Sequence, residues 1–164
     1  MEMETLRDLY VDELKDLWSA EKQILRALPR MAKAASSDDL ARGFREHERQ
    51  TRAQVKRLER ILKSLDESPR GKRCVGMEGL LEEGAELIKE KPEPDVLDAG
   101  LIAAAQHVEH YEIAGYGTVR TWASLLGYDD HAGLLAQTLA EEKETDKKLS
   151  QLAESINVEA ENDE

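Results

Sequence analysis

The fold is decided by one stretch of sequence, residues 97–126, which reads LDAGLIAAAQHVEHYEIAGYGTVRTWASLL. Apolar and aromatic side chains recur there every three or four positions, a spacing that places them along one face of an α-helix. Glu109 and Glu112 interrupt this face near its middle. The full face consists of Ile102, Ala105, Glu109, Glu112, Tyr116, Val119, Ala123 and Leu126. The stretch therefore predicts a long, buried helix that carries two acids in its apolar stripe.

Three further stretches have the same period and the same interruption by polar residues. Their stripes are Leu14, Leu17, Glu21, Ile24 and Leu28; then Phe44, His47, Thr51, Leu58 and Leu65; then Leu135, Leu139, Glu142, Asp146 and Leu149. In each stripe the polar residues fall near mid-length, so antiparallel packing would bring them to one level. An isolated buried carboxylate is costly and normally takes up a proton. We therefore predict one polar layer between two apolar layers, with bound cations as the simplest source of compensating charge.

Turn and capping residues divide the chain into five predicted helices. We expect the first at about residues 4–35, with a kink or a changed last turn at Pro29, and the second from capping residues at 36–39 to about residue 66. A break at 67–71 precedes a shorter helix at 77–91. Asp95 and Asp130 are the predicted N-caps of the last two helices, which end near residues 126 and 157.

This order of helices predicts an all-α, ferritin-like four-helix bundle with a fifth short helix in the crossover connection. The first two long helices are joined by a tight turn, and so are the last two, whereas a long segment separates the two pairs. A bundle with one long crossover is the ferritin-like arrangement. We assign residues 1–157 to this domain and residues 158–164 to an acidic C-terminal tail.

Composition narrows the classes of function. The chain has 35 Asp and Glu against 23 Lys and Arg, and its net charge of -12 disfavours nucleic acid and anionic membranes as partners. It has a single cysteine, Cys74, which excludes an intramolecular disulfide and a thiolate metal cluster. We expect Cys74 to be a small apolar residue in a connection between helices. No apolar run suits a membrane span and the start has no signal-peptide core, so we expect a cytoplasmic protein.

The polar layer has the chemistry of a metal centre. Carboxylates with imidazole and without sulfur suit iron or manganese, and zinc less exclusively. Residues three apart on a helix, such as Glu109 and Glu112, point at one spot. Two ions about 3.5–4 Å apart can hold a small oxygen species between them. The candidate metal ligands are Glu21, His47, Glu109, Glu112, Glu142 and Asp146.

Several of these residues have a simpler interpretation as well. His47 is as well explained by a core histidine bonded to Thr51 or to a backbone carbonyl, and Asp146 by an outward pair with Lys143. Tyr116, one turn after Glu112, is better explained by packing than by a hydroxyl contact with the centre.

The remaining histidines fit the metal centre less well. His107 and His110 lie off the face of Glu109, which favours surface or dimer contacts. We expect His131, at a helix start, to be exposed.

Several segments resemble one known family. They are AEKQ at 20–23, RCVGMEGL at 73–80, VEHYEI at 108–113 and EEK at 141–143. The chain resembles, over about residues 4–157, the YciE/YciF family of bacterial ferritin-like stress-response proteins. The resemblance implies a five-helix ferritin-like domain, a homodimer, kinship with the rubrerythrins and a candidate di-iron site.

The second and last helices depart from the rubrerythrin-like pattern. The second helix has His47 followed by Gln50 and Thr51, where that pattern has Glu-x-x-His, and Gln50 brings no charge. The last helix has no histidine beside Glu142. No rubredoxin-like module with four cysteines is present, so electrons would have to come from a partner protein.

We therefore expect a non-haem, di-metal stress protein that handles iron or reduced oxygen species, with two ions of iron, or of manganese or zinc. Whether it is an oxidase or peroxidase stays open, and no catalytic residue is assigned. The alternative is a non-catalytic helical dimer that acts as an interaction scaffold, its polar layer only fixing the packing register. Iron storage would need a hollow cage, which no sequence feature requires.

Overall fold

The computed structural model describes residues 2–162, which form five α-helices and no strand. The helices are α1 (Leu6–Ala34), α2 (Asp38–Ser64), α3 (Val75–Glu90), α4 (Pro94–Leu125) and α5 (Asp129–Glu161). Residues 35–37 and 126–128 form the two tight connections, whereas the crossover from α2 to α4 contains α3. The predicted fold class, all-α with four long helices and a short helix in the crossover, is confirmed.

The four long helices form a closed ring of antiparallel neighbours. Helix α1 packs on α2 and α4, α5 packs on α2 and α4, and α3 lies against α4 and α1. The Asp98 carboxylate, near the start of α4, accepts hydrogen bonds from the backbone N–H of Ser36 and Ser37, just after α1. At the other end of the molecule, Ser64 at the end of α2 bonds to His131 at the start of α5. Mid-helix residues of all four helices therefore meet at one level.

The core consists of two apolar clusters, one at each end of the bundle. One cluster includes Leu28, Phe44, Ile102 and Leu149, and the other includes Leu14, Leu58, Val119 and Leu135. Buried polar residues lie at the level between them. The stripe residues are buried except Leu65, Leu126 and Asp146, which are partly exposed. The predicted polar layer between two apolar layers is therefore confirmed.

Two predicted N-caps are wrong. Helix α4 begins at Pro94 after Glu93, and α5 begins after Tyr128; neither has a side-chain cap hydrogen bond. Proline suits the first position of a helix because its fixed φ is already helical and its missing N–H is not needed there. Asp95 and Asp130 lie in the first turns instead, where the helix dipole still favours a negative charge.

Other helix ends also differ from the expected ones. Helix α3 begins two residues earlier than expected, at Val75, because Cys74 is its N-cap. Helix α1 continues through Pro29 to Ala34. Helix α5 continues past residue 157 to Glu161, so residues 158–161 extend the helix and do not form a separate tail. Residues 163 and 164 of the expected tail lie outside the described residues.

None of the helices within residues 2–162 combines the length and the hydropathy that crossing a bilayer requires.

Candidate metal centre

Three helices bring four potential metal ligands together. His47 from α2, Glu109 and Glu112 from α4, and Glu142 from α5 each offer one ligand atom, and these atoms all lie within 4.8 Å of one another. All four side chains are buried. The spacing of three residues aims Glu109 and Glu112 at the same place, as their positions in the stripe predict. Such a group has the dimensions of a site for a first-row metal ion.

Glu21 joins this group from α1. Its side chain is fully buried, and its Oε1 accepts a 2.6 Å hydrogen bond from the hydroxyl of Tyr116. The pairing with Tyr116 corrects the expectation that this tyrosine only packs. Burial, together with the negative charge of Glu21, raises the pKa of Tyr116, so the hydroxyl remains a donor. We call Glu21, His47, Glu109, Glu112 and Glu142 the carboxylate cluster.

The carboxylate cluster contains an unusual concentration of buried polar atoms without a hydrogen-bond partner. They are Glu21 Oε2, His47 Nε2 and both carboxyl oxygens of Glu109, Glu112 and Glu142. His47 Nε2 lies 3.0 Å from Glu109 Oε1, but the direction of this approach does not meet the geometry of a hydrogen bond. Within residues 2–162 the one other such atom is Gln54 Oε1, whose side chain also acts on Glu142. Since buried polar atoms are almost always paired and ionised carboxylates have no donor to share, these acids need protons or a cation between them.

The electrostatics of the carboxylate cluster indicate which of these acids favour their protonated forms. Burial raises the pKa of Glu21 to about 8 and raises the pKa values of Glu109 and Glu112 well above 4.5, and the charge of Glu142 adds to each shift. Burial also acts to raise the pKa of Glu142, but Glu112 and Glu109, which can donate to it once they are protonated, and the nearby His47 lower it overall. Burial lowers the pKa of His47. Without a cation, burial therefore favours the protonated forms of Glu21, Glu109 and Glu112, whereas the surroundings of Glu142 favour its ionised form.

Asp146 lies outside the four-ligand group. It is partly exposed, and its Oδ2 lies 3.2 Å from Nε2 of His110, with Gln106 Nε2 3.4 Å from its Oδ1. The structure therefore pairs Asp146 with His110 on the outer side of α4 and α5, and not with Lys143. His110 and His107 are both exposed.

Gln50 and Thr51, which follow His47 in α2, do not enter the carboxylate cluster. Gln50 Oε1 accepts a hydrogen bond from the Thr145 hydroxyl at 3.1 Å. The Thr51 hydroxyl donates to the backbone carbonyl of His47 at 2.7 Å, which is a bond within α2. The imidazole of His47 is therefore not occupied by Thr51.

Sequence reasoning missed a second buried polar group, next to the carboxylate cluster. The backbone N–H of Cys74 donates to Ser19 Oγ at 2.9 Å, and its Sγ lies 3.2 Å from Asp16 Oδ2 and 3.0 Å from the Tyr111 hydroxyl. Tyr111 also donates to Asp16 Oδ2 at 2.7 Å. We call Asp16, Ser19, Cys74 and Tyr111 the crossover cluster, because it fixes the start of α3 to α1 and α4.

Cys74 and His131 have larger roles than expected. Cys74 is buried in a connection as expected, but its sulfur also caps α3 by accepting from the backbone N–H of Met77. His131 is only partly exposed, and its two ring nitrogens lie 3.1 Å from the Tyr10 hydroxyl and 2.8 Å from Ser64 Oγ. The expectation that His131 is exposed is therefore wrong, because two other helices cover it.

The fold and site together define a class: a five-helix bundle with four carboxyl groups and an imidazole buried at mid-length. Residues 5–161 match the model of a family described as "Domain of unknown function (DUF892)". The chain is 47% identical over 165 residues to Protein YciF of Escherichia coli K12, covering 99% of each chain. The chain belongs to this family, and the resemblance found in its sequence is confirmed.

Solved structures of similar proteins share the architecture. The crystal structure of the E. coli stress protein YciF superposes with a TM-score of 0.91 at 46% identity, covering 94% of this chain and 98% of that one. YcfI from Rhodopseudomonas palustris, named as a candidate structural protein, gives a TM-score of 0.88 at 42% identity, covering 91% and 95%. A Xanthomonas campestris protein at 22% identity, with 94% of each chain covered and a TM-score of 0.74, shares the fold alone.

Proposed function

We propose that this chain binds two metal ions in the carboxylate cluster and acts as a stress protein that handles iron or reduced oxygen species. The observation that carries the proposal is the set of buried carboxyl oxygens and the imidazole nitrogen that have no hydrogen-bond partner. They come from four helices and face one another at the middle of the core. A cation supplies the partner that all of them lack.

The number of ions follows from charge balance. Glu21, Glu109, Glu112 and Glu142 bring four negative charges when ionised, and His47 is neutral because burial lowers its pKa. Two divalent ions neutralise these four charges. A single divalent ion would leave two negative charges in a fully buried site, and two of the acids would have to keep their protons. Two ions are therefore the state in which every acid can act as a ligand.

Ligand chemistry favours iron. Oxygen donors with one imidazole nitrogen suit iron or manganese, and zinc less exclusively. In this proposal Glu112 and Glu142 would hold the ions together with Glu21, Glu109 and His47, and Asp146 lies farther out. Because His47 is the single nitrogen donor, the two positions differ, one being oxygen-rich. Bound iron would supply redox chemistry toward oxygen species, while Tyr116 holds Glu21 in place through Oε1.

The wider setting of the protein is part of the same proposal. We propose a cytoplasmic homodimer that receives electrons from a partner protein, since the chain has one cysteine and no cysteine-rich redox module. With a net charge of -12, it has no nucleic acid partner. An oxidase or peroxidase reaction is the activity that such a centre would support.

One observation favours the alternative, a helical dimer that serves as a scaffold. The relative from R. palustris is named as a candidate structural protein. A polar layer that only fixed packing would be expected to satisfy its own hydrogen bonds, since a half-satisfied buried network is worse than an apolar core. The unpaired oxygens of the carboxylate cluster therefore weigh against this function.

A metal count tests the proposal. The protein is purified anaerobically, loaded with ferrous iron, freed of excess metal and analysed for metal per chain. We expect about two ions in the wild type, the loss of both in Glu112→Ala, and no loss in Glu144→Ala, which removes an exposed acid of α5. An absence of tightly bound metal in the wild type would favour the scaffold. Consumption of dioxygen or peroxide then separates an enzyme from a binder, and the native mass separates a dimer from a cage.

A further inference from the structure

We propose that an apolar passage leads from the surface between α1, α3 and α4 to the carboxylate cluster, and that it admits dioxygen. The passage rests on the proposed function only for its destination, the metal centre. It has two parts, an outer groove with a cavity volume of about 370 Å³ and a deeper pocket of about 10 Å³.

The outer groove is open at the surface and apolar at its floor. Its floor includes Met31, Leu81, Ile88, Ala104 and Val108. Charged side chains also line the groove, among them Arg26 from α1 and Glu82 from α3, and both of these are exposed. The volume lies within the range of small-molecule sites, about 300–1,000 Å³. A small apolar solute can therefore collect here directly from solvent.

The deeper pocket continues the groove inward. Four residues line both spaces, namely Ala27, Met31, Leu81 and Val108. Beyond them the pocket is walled by Ile24, Leu28 and Ala105, and it ends at His47 and Glu109. These two residues belong to the carboxylate cluster, and Glu109 contributes two of the unpaired oxygens. The passage therefore ends at the face of the cluster where ligand atoms are free.

The lining and width of the pocket select the solute. Every lining residue except His47 and Glu109 is apolar, so a hydrated cation would lose its hydration without compensation. Hydrogen peroxide would likewise lose its hydrogen bonds along the way. The inner volume of about 10 Å³ leaves room for a very small solute and for no chain-like one. Dioxygen, which is small and apolar, meets both conditions.

A second opening also reaches His47. The cleft between α2 and α5, about 50 Å³, is lined by Phe44, Leu149 and Leu152 together with Gln50, Glu144, Thr145 and Lys148. This cleft is the competing route for a small solute. If dioxygen used this cleft, sealing the apolar passage would leave its access unchanged.

Dioxygen itself can serve as the probe, in the metal-free protein. Dissolved under pressure, it enhances the relaxation of nearby methyl protons in NMR because it is paramagnetic. Val108 and Val55 form a matched pair, since both are valines and both are about 5–6% exposed, but only Val108 lines the passage. We expect a clear excess relaxation at Val108 over Val55, measured against a nitrogen-pressurised sample.

Two alanine-to-leucine variants locate the route. Ala27→Leu adds bulk at the junction of groove and pocket, whereas Ala85→Leu adds the same bulk to the groove wall alone. We expect Ala27→Leu to lose the excess methyl-proton relaxation at Val108, and Ala85→Leu to retain it. Ala27→Val, with a smaller addition, replaces the first variant if its fold is perturbed.

The result that overturns the passage is equal relaxation of the two valines in the wild type, or an excess that survives sealing at Ala27. Neither measurement needs bound metal. A failure of metal binding would therefore refute the proposed function and leave the passage to be judged by these relaxation data.

Discussion

Two buried polar groups lie side by side in this bundle, and they differ in how their hydrogen bonds are satisfied. In the crossover cluster, Asp16 accepts from Tyr111 and Cys74, and Ser19 accepts from the backbone of Cys74. In the carboxylate cluster, most carboxyl oxygens have no partner at all. Tyr111 and Glu112 are neighbours in sequence, yet they belong to opposite kinds of group. Burial alone therefore does not mark a functional site; unsatisfied burial does.

The difference has a simple chemical cause. The crossover cluster mixes donors, namely a phenol, a thiol and a backbone N–H, with acceptors. The carboxylate cluster consists almost wholly of acceptors, and acceptors facing one another need protons or cations between them. Substitutions in the first group should therefore cost stability irrespective of metal, and substitutions in the second should act mainly through metal.

The largest effect is expected for Glu112→Gln. The amide matches the protonated acid in shape and charge, so the metal-free variant should be at least as stable as the metal-free wild type. With metal at a hundredfold its dissociation constant, the wild type should gain about 2.7 kcal/mol for each ion bound, and the variant almost nothing. Denaturant unfolding with and without metal measures both quantities. Glu144→Gln, on the exposed face of α5, is the control and should gain as much as the wild type.

If metal raised the free energy of unfolding equally in Glu112→Gln and in the wild type, the carboxylate cluster would not differ from the crossover cluster in its dependence on metal.

A pH dependence of metal-free stability should follow. The folded-state pKa of Glu21 is raised to about 8, and that of Glu112 is raised well above 4.5, its value in the unfolded chain. Between these values the folded state binds more protons than the unfolded state, so stability is full below about pH 4.5 and falls as the pH rises toward about 8. Glu142 and His47 act in the opposite direction, because their pKa values are lowered.

Comparing the stability of the wild type and of Glu112→Gln across this pH range isolates the contribution of Glu112 to the pH dependence. Thermal unfolding of the metal-free proteins should show a steeper decline with pH in the wild type. Saturating metal, which replaces the protons in the wild type but is hardly bound by the variant, should weaken or reverse the decline in the wild type alone. A steeper decline in the variant would contradict the proton-holding state of the cluster.

Asp16→Ala should have an intermediate effect. It removes the acceptor for Tyr111 and Cys74 and leaves buried donors unpaired, at a cost of about 1–3 kcal/mol. The loss should be the same with and without metal, and the metal count should be unchanged. Denaturant unfolding and metal analysis of the same sample provide both readings. Fewer bound ions per chain in Asp16→Ala than in the wild type would mean that the crossover cluster and the carboxylate cluster are functionally linked.

The smallest effect is expected for Tyr116→Phe. This variant removes the hydroxyl that donates to Glu21 Oε1, and the loss should lower the free energy of unfolding by about 0.5–1.5 kcal/mol. The hydrogen bond from Tyr116 also lowers the pKa of Glu21, so its loss should raise that pKa and weaken metal binding at neutral pH. A metal titration should show two ions still bound, with lower affinity. Unchanged affinity would show that the hydrogen bond from Tyr116 to Glu21 does not contribute to metal binding.

The sequence predicts the carboxylate cluster better than the crossover cluster for a physical reason. Glu21, Glu109, Glu112 and Glu142 each occupy a position in an apolar stripe, so the helical period alone reveals their burial. The crossover cluster joins α1, α4 and the loop before α3 across long separations in sequence. Asp16 lies outside the stripe of its helix, and Cys74 lies in a loop without a period. Their contacts depend on how the crossover packs, which no local pattern encodes.

Two further differences between the predictions and the structure show what the helical period does not predict. Asp146 fits the stripe of α5 as well as Glu142 does, but the packing of α4 beside it turns Asp146 toward His110. The starts of α4 and α5 depend on the conformation of short connections, and the acids taken for caps lie one or two residues inside the helices. The helical period determines which face of a helix is buried. The neighbouring helices determine which partners a side chain at the edge of that face contacts.

Anomalous diffraction from crystals grown anaerobically with ferrous iron tests the central claim most directly. Data collected at the iron absorption edge locate the ions without reference to activity. The expected result is two peaks inside the bundle, contacted by Glu21, His47, Glu109, Glu112 and Glu142. Peaks confined to the acidic surface, with the carboxylate cluster empty at full iron loading, would contradict it.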